Sequence, residues 1–314
     1  MPGLGVGSYL VSPTALLFPL FSVQPLAPEI DLGMPFRLFL FSLAAVSTPL
    51  WAATGETLGA LKKDVAYVEN GHARQKLDLR LPADPKGAPV VLWIHGGGWL
   101  TGSKENPPVA ALTAKGYVVA SMNYRYSTQA PFPAQLEDAR AAVKWLRTHQ
   151  TEFGYDGKRI AAWGHSAGGT MVSLVGSRQD KDAEVQAVVN FSGPTDFGVI
   201  IKDAIDGGYA DQFDAPINMV ALLLGGPVKQ KLPLGLEASP VTHVTAKSAP
   251  SLLVFGAKDT LVPPVQGTNL FVAMKKAGAT VELLSLPDAG HNSVNRESLE
   301  RALVWTDRAL GVKR

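Results

Sequence analysis

Gly164-His165-Ser166-Ala167-Gly168 is the most informative pentapeptide of this chain. It follows the run Arg159–Trp163 and precedes a helix-like run from Gly169 to Val175, which predicts a strand that ends in a sharp turn carrying Ser166. Glycines on both sides allow the strained backbone that exposes such a hydroxyl. Because a Gly-rich turn with a hydrogen-bonded serine has the same pattern, the pentapeptide alone is weak evidence. A nucleophilic serine also requires a base, an acid that orients the base, and donors for an oxyanion.

Length and composition favour one large α/β domain. The 314 residues are 46% hydrophobic with a formal net charge of +2, which suffices for a buried core. The sequence has no block of like charges and no basic stripe with interleaved aromatics, so nucleic acid is not expected as a partner. With no cysteines, it excludes disulfides, thiolate catalysis and cysteine-bound metals.

The first part of the chain is predicted to be a leader rather than a domain. From Met34 the order is a basic residue (Arg37), an apolar run over residues 38–46 and a small-residue exit, which is typical of a secretory signal peptide over residues 34–52. We therefore expect residues 1–53 to be a leader. In it, translation starts at Met34, residues 1–33 come from a gene start assigned too far upstream, and the signal peptide directs export to the periplasm or the medium. Since the apolar run is short, the mature protein is not expected to span a membrane. A membrane anchor or a cytoplasmic location is the alternative.

Residues 54–314 alternate short apolar runs with amphipathic stretches. This order predicts a mostly parallel central sheet with helices on both faces, and a site at the carboxyl ends of the strands. The predicted strands are Gln75–Leu81, Pro89–Ile94, Tyr117–Met122, Arg159–Trp163, Ala187–Phe191, Ser251–Gly256 and Val281–Leu286. The first of these alternates with period two and is predicted to be half-buried and antiparallel. Amphipathic helices are predicted over Gln135–Thr148 and Glu297–Leu310.

One segment, at about residues 196–236, interrupts this alternation. It contains scattered helical runs such as Met219–Leu224, with several glycines and prolines. Because long structured insertions in compact domains are often functional, the segment is predicted to be a small lid over the site. The alternative is an ordinary long connection.

The run His95–Trp99 contains three successive glycines directly after the apolar strand that ends at Ile94. Three glycines in a row are entropically costly for a plain turn, but they allow backbone N–H groups to approach a substrate. We therefore predict an oxyanion hole formed by the N–H groups of Gly97 and Gly98, together with that of Ala167 next to the nucleophile.

The acid is sought after the nucleophile in the chain. Asp259 comes just beyond the predicted core strand Ser251–Gly256, where its carboxylate can accept a hydrogen bond from a histidine and fix the tautomer of the ring. Asp288 lies in a turn close to the candidate histidine and is the second choice.

The candidate base is His291. It follows the last predicted strand and precedes the last helix, so its loop can reach inward. His243 is the main rival, although it precedes the acid. His95 precedes the nucleophile and is expected to be structural, and His165 is expected to point away from the neighbouring hydroxyl.

These motifs together resemble the α/β-hydrolase superfamily, on the branch of hormone-sensitive-lipase-like esterases and bifunctional feruloyl/acetyl-xylan esterases. The resemblance covers roughly residues 60–312. The matching stretches are His95–Trp99, Asn123–Tyr126, Pro131–Ala134, Gly164–Gly169, Gly256–Asp259 and Gly290–His291. It implies the fold and the Ser-His-Asp triad but no particular substrate, and it implies a structural role for Asp138.

The leading hypothesis is a serine carboxylic ester hydrolase with Ser166, His291 and Asp259 as triad. Short acyl esters, such as acetyl groups on carbohydrate, are the expected small-molecule or carbohydrate substrates. No cofactor or metal is implied, because the sequence has neither a His-Glu-x-x-His motif nor a nucleotide-type glycine loop. The alternatives are an amidase of the formamidase type with the same triad, and a catalytically inactive binding protein on the same scaffold. Oligomeric state is not visible in the sequence.

Overall fold

The computed structural model of the protein describes residues 59–211 and 217–313, and these contain one eight-stranded sheet. The strands are β1 (Leu61–Ala66), β2 (Lys76–Arg80), β3 (Val90–Ile94), β4 (Val118–Met122), β5 (Ile160–His165), β6 (Ala187–Phe191), β7 (Ser251–Gly256) and β8 (Val281–Leu286). Their order across the sheet is β1-β2-β4-β3-β5-β6-β7-β8. β2 pairs antiparallel with both β1 and β4, and all other neighbours are parallel. The predicted mostly parallel α/β sheet is confirmed.

Helices connect the strands and cover both faces. They are α1 (Ala134–Thr148), α2 (Gln150–Phe153), α3 (Ala167–Arg178), α4 (Phe197–Asp206), α5 (Ile217–Leu223), α6 (Leu232–Ala238), α7 (Val265–Ala277) and α8 (Arg296–Leu310). Short 3₁₀ turns occupy Ala110–Lys115, Val228–Gln230 and Pro240–His243.

The alternation of side chains along β3 shows how the sheet is sandwiched. Val90, Leu92 and Ile94 point into the core that α1 and α3 cover, while Val91 and Trp93 point into the core that α8 covers. A strand buried on both faces reads as a continuous apolar run, which is why its bounds were visible in the sequence. Because β3 to β8 run parallel, their carboxyl ends lie at the same edge of the sheet.

The prediction of a half-buried β2 is wrong. Leu77, Asp78 and Leu79 are all buried, so the polar position of the alternation does not face water. The Asp78 carboxylate lies 2.7 Å from the Lys104 ammonium, which is itself buried. Burial of a charge is tolerated when it is paired in this way, and the pair ties β2 to the segment that follows the glycine run.

The described part of the insertion between β6 and β7, which leaves out residues 212–216, contains α4, α5 and α6. It packs on the predicted site: the rings of Trp99 and Phe197 lie 5.8 Å apart, and the Leu223 carbonyl accepts a 2.7 Å hydrogen bond from the Phe132 N–H. Its role as a lid stays a prediction.

The predicted leader, residues 1–53 with its signal peptide at 34–52, lies outside the described residues. Within the described ranges, no helix combines the length and the apolar character that a membrane crossing requires.

Candidate active site

Ser166 sits on a strained turn between β5 and α3. Its φ of 53° and ψ of −121° are rare for a residue with a side chain, and such strain costs about 1–3 kcal/mol. The flanking glycines make the turn possible: a Cβ on Gly164 would lie 2.4 Å from the Gly168 carbonyl oxygen, and a Cβ on Gly168 would lie 2.0 Å from that of Ile94. The predicted turn is therefore present, and only glycine fits on either side of it.

Three side chains predicted from distant parts of the sequence meet at this turn. The Nε2 of His291 lies 2.9 Å from the Ser166 Oγ, and the Nδ1 of His291 lies 2.9 Å from the Asp259 Oδ2. Both distances are hydrogen-bond distances, so serine, imidazole and carboxylate form one continuous chain. This is the arrangement in which a histidine can take a proton from a serine while a carboxylate fixes its tautomer.

The carboxylate of Asp259 is buried and kept ionised. Burial opposes the charge, but hydrogen bonds from His291 and from the N–H groups of Val262 (2.8 Å) and Leu261 (2.9 Å) outweigh it, so the pKa of Asp259 lies below its usual value. The other candidate, Asp288, is 93% exposed and pairs only with the ammonium of Lys258 in the described residues. Of the two candidate acids, Asp259 is therefore the one whose carboxylate lies within hydrogen-bond distance of His291.

The other candidate histidines do not reach the serine hydroxyl. The Nε2 of His243 lies 2.7 Å from the Glu237 carbonyl oxygen at the surface. The ring of His95 is buried, stacks on Tyr124 at 4.5 Å and bonds the Gly96 carbonyl through Nδ1. Burial lowers the pKa of His95 to about 4, which fits the structural role that its chain position predicts.

The glycine run lies against the nucleophile. A Cβ on Gly96 would come within 3.2 Å of the Ser166 Cβ, so the backbone passes directly beside that side chain. Gly97 and Gly98 adopt φ values of 111° and 60°, which a side chain rarely permits. In the described part of the chain, no protein acceptor binds the N–H groups of these two glycines or of Ala167. Their use as an oxyanion site stays a prediction.

Two contacts at the site were not predicted. A Cβ on Gly98 would lie 2.4 Å from the Met219 Sδ, so this thioether from α5 packs on the glycine run. The ring of His165 does not bond the Ser166 hydroxyl; its Nε2 lies 3.0 Å from the His291 carbonyl oxygen and so contacts the loop of the candidate base. No sequence signal identifies either contact, because each joins segments that only the fold brings together.

The strand order, with helices on both faces of the sheet, is that of the α/β-hydrolase fold. A truncated carbohydrate esterase from gut microbiota superposes with a TM-score of 0.72 at 22% identity, over 82% of this chain and 99% of that one. The chain belongs to the BD-FAE family, whose model matches residues 77–274.

The curated proteins that the chain resembles are named as esterases, and the chain spans only part of their length. It is 41% identical to the carboxylesterase NlhH of Mycobacterium tuberculosis, over 71% of this chain and 74% of NlhH. It is 35% identical to the probable carboxylic ester hydrolase LipM of the same organism, over 67% of this chain but only 50% of LipM. A bifunctional GH43-CE protein of Bacteroides eggerthii aligns with a TM-score of 0.71 at 26% identity, over 80% of this chain and 35% of that one.

Proposed function

We propose that the protein is a serine carboxylic ester hydrolase in which Ser166, His291 and Asp259 form the catalytic triad. The observation that carries the proposal is the pair of 2.9 Å contacts that join the three side chains. The family and the esterases related to the chain support the same class of reaction. Any leader and any further segment of a longer protein lie outside this proposal.

The reaction proceeds in two halves. Ser166 Oγ attacks the acyl carbon while its proton passes to His291 Nε2, and Asp259 stabilises the imidazolium that results. His291 then gives this proton to the alkoxide that leaves, and an acyl ester on Ser166 remains. Water repeats the sequence: it loses a proton to His291, attacks the acyl carbon, and the carboxylic acid departs as Ser166 recovers its proton.

The tetrahedral intermediates carry a negative oxygen, for which we propose a site made by the N–H groups of Gly97, Gly98 and Ala167. Two glycines with positive φ present their N–H groups without a side chain in the way. Ala167 is the first residue of α3, where N–H groups have no partner within the helix and the helix dipole favours negative charge. Loss of one such donor typically reduces kcat by about 10²–10³-fold.

Short acyl groups are the proposed substrates, for example acetyl groups on carbohydrate. The Met219 thioether packs on Gly98, one of the proposed oxyanion donors, and we propose that it limits the length of the acyl chain that binds there. The neighbouring structures described as a carbohydrate esterase and as a GH43-CE protein support a carbohydrate-linked alcohol.

The test is hydrolysis of a series of p-nitrophenyl esters of increasing chain length, together with acetate release from acetylated xylan. We expect the wild type to favour the acetyl ester, and Ser166→Ala to lose about 10⁴-fold or more in turnover. Met219→Ala should move the preference toward longer chains. A Ser166→Ala protein that cleaves the acetyl ester at the wild-type rate would exclude the proposed nucleophile.

A further inference from the structure

The ring of His165 connects the strand of the candidate nucleophile to the loop of the candidate base. His165 is the last residue of β5 and immediately precedes Ser166. Its Nε2 lies 3.0 Å from the carbonyl oxygen of His291, 126 positions along the chain. Since a carbonyl oxygen only accepts, the proton of the His165 ring must be on Nε2. The bond therefore attaches the backbone of His291 directly to the residue beside Ser166.

The surroundings of His165 keep this donor in one place. A Cβ on Gly96 would lie 3.1 Å from the other ring nitrogen, so the glycine run borders that edge of the ring. The ring centroids of His165 and His291 are 5.1 Å apart. Burial lowers the pKa of His165 to about 4, so near neutral pH the ring is uncharged and does not repel the imidazolium that forms on His291.

The loop that carries His291 is fixed on both sides of this contact. Before it, the Ala289 carbonyl accepts a 2.9 Å hydrogen bond from the Lys258 N–H. After it, the Ser192 hydroxyl donates to the Ser293 hydroxyl at 2.8 Å, and both groups are fully buried. The His291 carbonyl itself accepts a 3.0 Å hydrogen bond from the Ser293 N–H, and among the described side chains His165 is the one that bonds it.

We propose that His165 is a positioning residue, whose Nε2–H holds the His291 carbonyl so that the His291 ring stays within hydrogen-bond reach of Ser166 Oγ. The inference rests on the proposed triad. His165 does not exchange a proton with substrate; it acts through His291. A misplacement of about 1 Å in such a group can reduce the rate about 10²-fold, so the expected effect lies on kcat and not on substrate binding.

The test compares amide side chains that differ by one methylene. His165→Gln can place its amide N–H near the position of Nε2, whereas the amide of His165→Asn is too short to reach the carbonyl. We expect His165→Asn to lose about 10- to 100-fold in kcat for p-nitrophenyl acetate with KM unchanged, and His165→Gln to recover most of that loss. His243→Asn is the matched control, because His243 also bonds a carbonyl oxygen, that of Glu237 at 2.7 Å, but at the surface.

Melting temperatures of all variants separate a positional effect from lost fold. Equal kcat for His165→Asn and wild type would overturn the inference, and so would equal losses for folded His165→Asn and His165→Gln. If His165→Asn does not fold, His165→Phe replaces it, since its ring fills the space without a donor. Failure of the triad itself would show differently, as a wild-type protein without Ser166-dependent hydrolysis.

Discussion

Replacement of Asp259 by asparagine tests the identity of the acid at almost constant shape. In the wild type, Asp259 Oδ1 accepts hydrogen bonds from the N–H groups of Leu261 and Val262, and Oδ2 faces the Nδ1 of His291. An asparagine keeps the first two bonds through its own oxygen and turns its NH₂ toward His291. That NH₂ is a donor, so His291 must present a lone pair at Nδ1 and carry its proton on Nε2.

The expected loss of activity follows from this tautomer. A His291 ring that carries its proton on Nε2 cannot take the proton of Ser166, and an equivalent change in a Ser-His-Asp enzyme lowers kcat by about 10⁴-fold. That factor corresponds to about 5.5 kcal/mol of transition-state stabilisation. Because the bonds to Leu261 and Val262 are kept, the fold should survive near neutral pH.

The assay is kcat for p-nitrophenyl acetate, with melting temperature measured on the same samples. Asp288→Asn is the control, since the Asp288 carboxylate is 93% exposed and pairs only with Lys258 in the described residues. We expect wild-type activity from Asp288→Asn and a collapse of kcat for Asp259→Asn. If Asp259→Asn kept wild-type turnover, or if Asp288→Asn lost it, the reasoning from hydrogen-bond geometry would be refuted.

Two further predictions concern the stability of the fold, one through the ionisation of Asp259 and one through the space around Gly168. The pKa of Asp259 lies below its usual value, so its ionisation stabilises the fold above about pH 4, and this stabilisation is lost as pH falls through the lowered pKa. In urea unfolding, the free energy of unfolding of Asp259→Asn should therefore fall less toward acid pH than that of the wild type. An identical pH dependence for the two proteins would count against an ionised, hydrogen-bonded Asp259. Gly168→Ala should lower the free energy of unfolding by about 3 kcal/mol or more, because its Cβ would lie 2.0 Å from the Ile94 carbonyl oxygen. Gly290→Ala is the control, since its Cβ would meet nothing closer than 3.8 Å. Comparable melting temperatures for the two variants would contradict this prediction.

Much of the fold could be predicted because buried parallel strands have a simple signature. The bounds of β6 and β7 agree with the sequence prediction, since each is a short run that is buried along its whole length. Helix α7 was not predicted: it buries Leu270 and Met274 but exposes Val265 and Val272, so its apolar residues do not mark one face. The alternating pattern of β2 predicted a strand with one face in water, but its polar residue Asp78 is buried and paired with the buried Lys104.

The meeting of the candidate site residues could be predicted because parallel strands end at one edge of the sheet. Ser166 and Asp259 follow β5 and β7, and His291 follows β8, so their loops converge whatever the details of packing. Met219 and His165 were different. Their contacts depend on how an insertion folds back and on which carbonyl a ring meets, and neither follows from spacing or residue type.

The most direct measurement is covalent labelling of the protein with a fluorophosphonate, followed by peptide mass spectrometry. If the relay from Ser166 through His291 to Asp259 activates the hydroxyl, one adduct should form, on the peptide that contains Ser166, and Ser166→Ala should not react. A folded wild-type protein that stays unlabelled, or one labelled at a different serine, would contradict the triad.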